Sequence, residues 1–261
     1  RYPIEKRGDQ QLRQKLVNRI KPFILRRLKT DVAKELPEKT TIEVNIDMNE
    51  QQSKLYEAVR ATMQENIQKI VAEKGFKRSQ IQILDALLKL RQVCCHPSLL
   101  KLDSVKIGQA NSAKLEQLMD MVVPMVEEGR KILIFSQFTS MLELIEQQLH
   151  HAEIGYVKLT GKTKKRDEVI TAFQSGQVPI FLISLKAGGV GLNLTAADTV
   201  IHYDPWWNPA AEDQASDRAW RIGQDKPVFV YKLITNKSIE EKIIALQQNK
   251  AELAQSILST D

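Results

Sequence analysis

Cysteine is scarce in this chain: there are two in 261 residues, and they are neighbours, Cys94 and Cys95. No second pair exists with which to build a disulfide framework or a four-ligand zinc site, and His96 beside them does not complete one. We read them as buried free thiols of a reducing compartment. Long apolar runs are missing too: nothing approaches the roughly 18 residues of a membrane span, and no secretory leader is visible. The expectation is an intracellular protein, in cytoplasm, nucleoid or nucleus, with no membrane partner. Neither charge sign dominates, with Lys+Arg at 38, Asp+Glu at 32 and a formal net charge of +6. That excess is compatible with a nucleic-acid partner and equally with a solvated basic surface. An initiating methionine is also lacking, and a chain that starts at Arg1 is expected to be a piece of something longer. Apolar residues, in contrast, make up an ordinary 43% of the total, enough for a buried core in one large or two smaller domains.

A self-sufficient nucleotide site is missing as well. Gly161-Lys162-Thr163 looks like the end of the glycine loop whose backbone amides cradle phosphates. Five residues separate Gly161 from Gly155, however, where that loop needs four, and Tyr156 to Thr160 reads as a strand. Asp167-Glu168 lies in a helical stretch among cations, not after an apolar strand where a magnesium-holding carboxylate belongs. The chain thus has no visible apparatus for holding ATP and magnesium by itself.

In chain order, residues 1–40 are basic and broken by Pro3, Gly8, Pro22 and Pro37, with Leu12, Leu16 and Ile20 at helical spacing and three cations among the apolar residues 23–29. Thr41 to Asp47 alternates strictly, placing Ile42, Val44 and Ile46 on one face of a half-exposed edge strand. From Glu50 to about Leu100 the period lengthens. Leu55, Val59, Met63, Ile67 and Ile70, then Leu84, Leu87, Leu88 and Cys94, mark two amphipathic helices around Gly75 that end at His96-Pro97. Ser112 caps a helix that Gly129 stops. Strands are expected at Lys131 to Phe135, Tyr156 to Leu159 and Val228 to Ile234, and helices at Ser140 to Leu149, Lys164 to Phe173 and from Ser238 toward Ile257. Ser140 with Glu143, and Ser238 with Glu241, form capping boxes. Strands alternating with helices at this spacing argue a doubly wound, mainly parallel α/β sheet.

The stretch around which this order is arranged is 180–224. Two apolar runs, Ile180 to Leu185 and Thr199 to Tyr203, flank Gly188-Gly189-Val190-Gly191, and a helix carrying Arg218 and Arg221 follows. Strands of an open α/β sheet bring their carboxyl ends to the ligand crevice, so the glycine loop and the aromatic turn Asp204-Pro-Trp-Trp-Asn-Pro209 are expected at one edge. The glycines permit close approach of backbone amides to a phosphate; the bland reading is a tight turn. Arg218 and Arg221, three apart, reach one small target, and guanidinium forks suit phosphate oxygens; exposed pairs with Asp213, Asp217 or Asp225 are the alternative. Asn208 with Pro209 reads as a helix start. Adjacent tryptophans cannot share a face, so one of Trp206 and Trp207 is expected inside and the other toward solvent or ligand. Ser136-Gln137 and the loop Thr160 to Arg166 offer hydroxyl, amide and cation to a phosphodiester backbone, or a solvated face.

Together these segments resemble the Swi/Snf-type DNA translocases of helicase superfamily two. The likeness is carried by FILRRLKTDV at 23–32 with Leu36-Pro37, LRQVCCHP at 90–97, ILIFSQF at 132–138 (motif IV), SLKAGGVGLNL at 184–194 (motif V) and QASDRAWRIGQ at 214–224 (motif VI). Trp220 departs from the histidine common there. The resemblance implies the C-terminal RecA-like lobe of such an engine: an inter-lobe linker at 1–40, an edge strand and helical protrusion inserted at 41–105, the lobe itself at 106–237, and a bracing helix at 238–261. ATP with Mg2+ is then held mainly by a first RecA-like lobe of the same full-length protein. Arg218 and Arg221 would serve as arginine fingers, and Gly188, Gly189, Gly191, Asn193 and Gln214 would bind or sense nucleotide. Ser136, Gln137, Gly161, Lys162, Ser184, Lys186 and Trp207 would meet double-stranded DNA, with a protein–DNA complex as remodelling target and no ATPase activity in the lobe alone. A lobe of a strand-separating helicase and a non-catalytic binding module are the alternatives.

Overall fold

The computed structural model describes residues 35–100, 111–187 and 191–258, with Lys15 and Arg19 as isolated positions. The helix expected around Leu12 to Ile20, the stretch 23–29 and the glycines Gly188 and Gly189 lie outside the described residues. Six strands form one sheet in the order β1-β6-β5-β2-β4-β3, where β1 is Lys39–Ile46, β2 Ile132–Ser136, β3 Tyr156–Leu159, β4 Ile180–Ser184, β5 Thr199–His202 and β6 Val228–Thr235. Every pairing is parallel. The edge strand alternates as read, with Thr41, Glu43 and Asn45 exposed and Ile46 buried. β2, β4 and β5 are buried at every residue, as near-continuous apolar runs covered on both faces should be.

The side-chain period of two divides the core. Ile132 and Ile134 join Ile180, Leu182 and Ile201 in a cluster on one face, and Leu133 and Phe135 join Phe181, Ile183 and Val200 on the other. Helices α3 (Ala113–Glu127) and α4 (Thr139–His151) cover the first face, through Leu118, Val122, Leu142 and Ile145. The second face takes Phe173 of α5 (Arg166–Gln174) and Ala215 of α6 (Pro209–Ser216). This is the doubly wound arrangement, with helices on both sides of one sheet.

Between β1 and α3 the chain makes a helical hairpin, α1 (Glu50–Lys74) and α2 (Gln80–Cys95), turned at Gly75 with φ 75°, a conformation open to glycine at no steric cost. Its base forms a third cluster, in which Tyr56, Val59, Val93 and Cys94 pack on Ile239 and Ile243 of α7 (Ile239–Leu258). Both cysteines are free and buried. Leu84 and Leu88, expected on the apolar stripe of α2, are instead 64% and 41% exposed; Ala86 and Leu90 are the buried residues at that level of the helix.

Capping follows the sequence at some ends and departs at others. Ser112 accepts from Leu115 N at 3.2 Å and Asn208 from Ala210 N at 3.3 Å. The Ser140–Glu143 box does not form, because α4 already starts at Thr139 with Phe138 as its cap; the hydroxyl of Ser136 accepts from Phe138 N instead. Ser238 accepts from Glu240 N, but Glu241 reaches Lys237 N, which a φ of 53° brings within range. Helix α7 is also anchored by charge. Lys114 of α3 donates to Glu240, each 1% exposed, and Glu240 accepts from Thr235 N at 2.8 Å. Burial alone would lower the Lys114 pKa, but Glu240 and the neighbouring thiols outweigh it and the net direction is up.

Breaking a buried pair strands one charge in the interior, so Glu240→Gln should lower unfolding free energy by about 3–5 kcal/mol in denaturant melts. The double variant Lys114→Met/Glu240→Leu should recover most of that loss; equal losses would show that the pairing is not what matters.

Candidate nucleic-acid and nucleotide site

The carboxyl ends of β2, β3 and β4 open into one cleft of about 630 Å3. Five of the seven residues expected to meet DNA line it together: Gln137, Gly161, Lys162, Ser184 and Lys186. They come from three strand ends that the parallel sheet alone brings side by side. Lys158 and Arg166 add cations to the lining and Glu143 an acid; Lys158 is ion-paired with Glu146. Gly161 and Lys162 are exposed, and a Cβ added at Gly161 would meet nothing within 4 Å, so that loop leaves its backbone accessible. The short helix start expected at Lys164 falls at Arg166, which lengthens the loop on the cleft side.

Ser136 lies behind the lining. It is 1% exposed, and its hydroxyl donates to Asp204 at 2.5 Å. Gln137 reaches the same carboxylate with its side-chain amide and with its backbone N–H. Burial pushes the Asp204 pKa up, against the pull of these hydrogen bonds and of Arg91 and Lys114. The carboxylate therefore ties the end of β2 to the aromatic turn that follows β5. Sequence reading assigned no role to Asp204; an aspartate before Pro-Trp-Trp is equally at home as a solvated turn residue.

The aromatic turn is clamped from two other elements. Arg91 of α2, 5% exposed, donates to Pro205 O at 3.0 Å and lies 5.6 and 5.3 Å from the ring centroids of Trp206 and Trp207. From α7, the amide of Gln247 donates to Trp206 O and to Glu212 Oε1. Glu212 in turn accepts from Trp206 N at 2.6 Å and pairs with Lys232 at 3.0 Å. Both tryptophans are consequently half-buried, where one inside and one outside was expected. Trp207 packs toward the hairpin base and is not among the cleft-lining residues.

The arginines are not on a helix. Helix α6 ends at Ser216, and Arg218 and Arg221 sit in the turns beyond it. The physical reason lies in their tertiary partners. Arg218 O accepts from Leu194 N at 3.0 Å, and the buried Gln224 amide donates to Thr195 O, Ala197 O and Ala219 O. The turn is thus stitched to the segment entering β5, away from the cleft edge. Arg218 is 6% exposed, its Nη1 has no hydrogen-bond partner among the described residues, and burial lowers its pKa. Asp217, a candidate partner for it, pairs with Lys39. Arg221, Gln214 and Asn193 are exposed, as is Gly191, which has φ 39°. His202 at the end of β5 bonds Ser216 Oγ at 2.8 Å, stacks on Phe135, and is driven down to a pKa of about 4 by burial. Among the described residues no group of three or more His, Cys, Asp or Glu side chains could hold a metal ion.

Residues 113–223 match the helicase conserved C-terminal domain and residues 1–99 match the SNF2-related domain. The sheet joins both matched segments, since β1 belongs to the second and β2 to β5 to the first. The chain is 38% identical to the putative ATP-dependent helicase/translocase YwqA of Bacillus subtilis, over 99% of this chain and 28% of that protein. It spans about a quarter of the length of the curated relatives it matches. Among solved structures it is similar to the Sulfolobus solfataricus SWI2/SNF2 ATPase C-terminal domain, with a TM-score of 0.67 and 35% identity over 86% of this chain and 91% of that one. It is also similar to the SWI2/SNF2 ATPase core of that organism in complex with dsDNA, with a TM-score of 0.70 and 38% identity over 97% of this chain and 53% of that one.

The buried histidine gives the site a pH signature. His202 stays neutral in the fold down to about pH 4, whereas in the unfolded chain it takes up a proton near 6.5. The unfolded state then binds more protons between those values, so stability is intact above pH 6.5 and declines toward pH 4, by about 3 kcal/mol at most. The difference in unfolding free energy between wild type and His202→Asn should shrink over that window; a difference flat with pH would contradict a buried neutral ring.

Proposed function

The chain belongs to the SWI2/SNF2 family of ATPases, as the C-terminal RecA-like domain, and from that premise we propose that it is one half of an ATP-driven double-stranded DNA translocase. Arg218 carries this reading. A nearly buried guanidinium with a nitrogen that has no hydrogen-bond partner among the described residues suits an anion brought to it from outside, and charge developing on a transferring γ-phosphoryl is such an anion. Arg221, exposed three residues on, would add a second donor from solvent. ATP with Mg2+ would be presented by a first RecA-like lobe of the full-length protein, since neither the phosphate loop nor the acidic box occurs in this sequence. The chemistry left to this chain is electrostatic: its arginines neutralise charge and its turns fix their position.

The cleft supports the other half of the proposal. The cations Lys162 and Lys186 are suited to phosphate oxygens, and a groove lined from three strand ends can follow a backbone without reading bases. Trp207, beside Arg91 at the hairpin base, is half-buried and lies outside the lining of that groove. On this reading the load is a protein–DNA complex displaced as the motor moves.

In the full-length protein, Arg218→Ala and Arg221→Ala should each lower DNA-stimulated ATP turnover by about a thousandfold with DNA affinity retained, and the 261-residue chain alone should hydrolyse ATP negligibly. Turnover unchanged in both variants would sink the proposal. Binding of duplex DNA should weaken steeply with salt, and Lys162→Ala should reduce the slope of log K against log salt by about 0.9. An unaltered slope would remove Lys162 from the phosphate contacts.

A further inference from the structure

The arginine turn has a second attachment, to the segment that enters β1. Trp220, 8% exposed, donates its Nε1–H to Pro37 O at 2.7 Å. Lys39 Nζ lies 4.6 Å from the centroid of the same indole and 3.2 Å from Asp217 Oδ1. Leu36 packs against the apolar cluster that contains Trp220, and Glu38 O accepts from Val228 N at 2.9 Å. A hydrogen bond, a cation–π contact and an ion pair therefore join residues 36–39 to the positions one before and two after Arg218. Such contacts weigh more here than within α6, because beyond Ser216 the backbone bonds switch between i−3 and i−4 partners, Arg218 N and Ala219 N reaching Ala215 O and Ser216 O, and lengthen to 3.3 Å at Arg218 and Trp220.

We propose that Trp220 and Lys39 are positioning residues, which fasten the arginine turn to the segment 36–39 so that a displacement of that segment is carried to Arg218. The inference rests on the two-lobe reading above, in which residues 1–40 lead from the first lobe. Arg218 then stands between two tethers. Leu194 and Gln224 register the state of the loop that begins in the DNA cleft; Trp220, through Pro37 O, and Lys39, the first residue of β1, register the point at which the linker joins the sheet. The arginine is presented to a phosphate only when both are in place. Loss of one tether leaves the fold and both binding surfaces intact but loosens the aim of the guanidinium, and small misplacements of a catalytic group are costly in rate.

The test uses the full-length protein with two substitutions of different kinds. Trp220→Phe keeps a ring for Lys39 and removes the N–H donor, and Lys39→Gln, at a partly exposed side chain, removes the charge without opening the core. Each should lower kcat for DNA-stimulated ATP hydrolysis about three- to tenfold, the range expected for one lost hydrogen bond or charge contact, with KM for ATP and DNA affinity within about twofold of wild type. Amide exchange should quicken at 217–221 in both variants. Wild-type kcat in both, or a fall in kcat with unchanged exchange at 217–221, overturns the proposal. Arg218→Ala run in parallel separates the causes: silent tether variants beside an inactive Arg218→Ala refute only the positioning role, and a fully active Arg218→Ala refutes the two-lobe reading with it.

Discussion

In a parallel sheet, two consecutive strands that are not neighbours must be joined by a connection that travels the length of the sheet and crosses the strand between them. β4 and β5 are such a pair, with β2 between them. The chain leaves β4 in the basic cleft, at Ser184 and Lys186, and enters β5 beside the arginine turn, where Leu194 N bonds Arg218 O. One crossover thus touches both the surface suited to a nucleic-acid backbone and the residues suited to a triphosphate. On the proposed reading of a DNA motor these two would have to respond to each other, and this crossover would be the physical link between them.

Buried polar groups give the loops at this sheet their shape. Asp204 gathers Ser136 and Gln137, Gln224 gathers three carbonyls from two segments, and Gln247 with Glu212 holds the tryptophan turn. Each satisfies groups that would otherwise be costly to bury, so a loop that shifted would lose several bonds at once. Arg218 breaks the pattern, since one of its nitrogens is buried without a partner among the described residues. Carboxylate oxygens of Glu212 and Glu240 are also buried without a hydrogen-bond partner among the described residues, but each of those side chains has a lysine paired with it, and Arg218 is the cation among the three.

The sheet was largely legible in the sequence because its strands are short apolar runs bounded by glycine, proline or capping residues. Ile132 to Ser136 and Ile180 to Ser184 have no competing period, and the strict alternation of Thr41 to Asp47 marks an edge. The helical hairpin was legible for the same reason, with Gly75 as its break. Less legible was anything set by tertiary partners. Arg218 and Arg221 have helical spacing, yet the chain leaves the helix after Ser216, where Leu194, 24 residues back, binds Arg218 O and Gln224 joins Ala219 O to carbonyls of the segment entering β5. Ser140 looked like a cap, but the helix starts earlier, at Thr139, and Leu142 N bonds Phe138 O. Asp204, Gln247 and Arg91 carry no motif of their own; their roles arise from elements up to 114 residues apart. The cleft residues, by contrast, could be named in advance because each follows a recognisable strand, and parallel strands end together.

On the proposed reading, the arginine turn completes a phosphate site brought to it by another lobe. The most direct measurement is a structure of the full-length protein bound to duplex DNA, ADP, Mg2+ and a planar or tetrahedral mimic of the γ-phosphoryl group. The guanidinium groups of Arg218 and Arg221 should lie within hydrogen-bonding distance of that mimic, with Leu194 still bonded to Arg218. Both side chains turned away from the nucleotide in the closed state would contradict that reading.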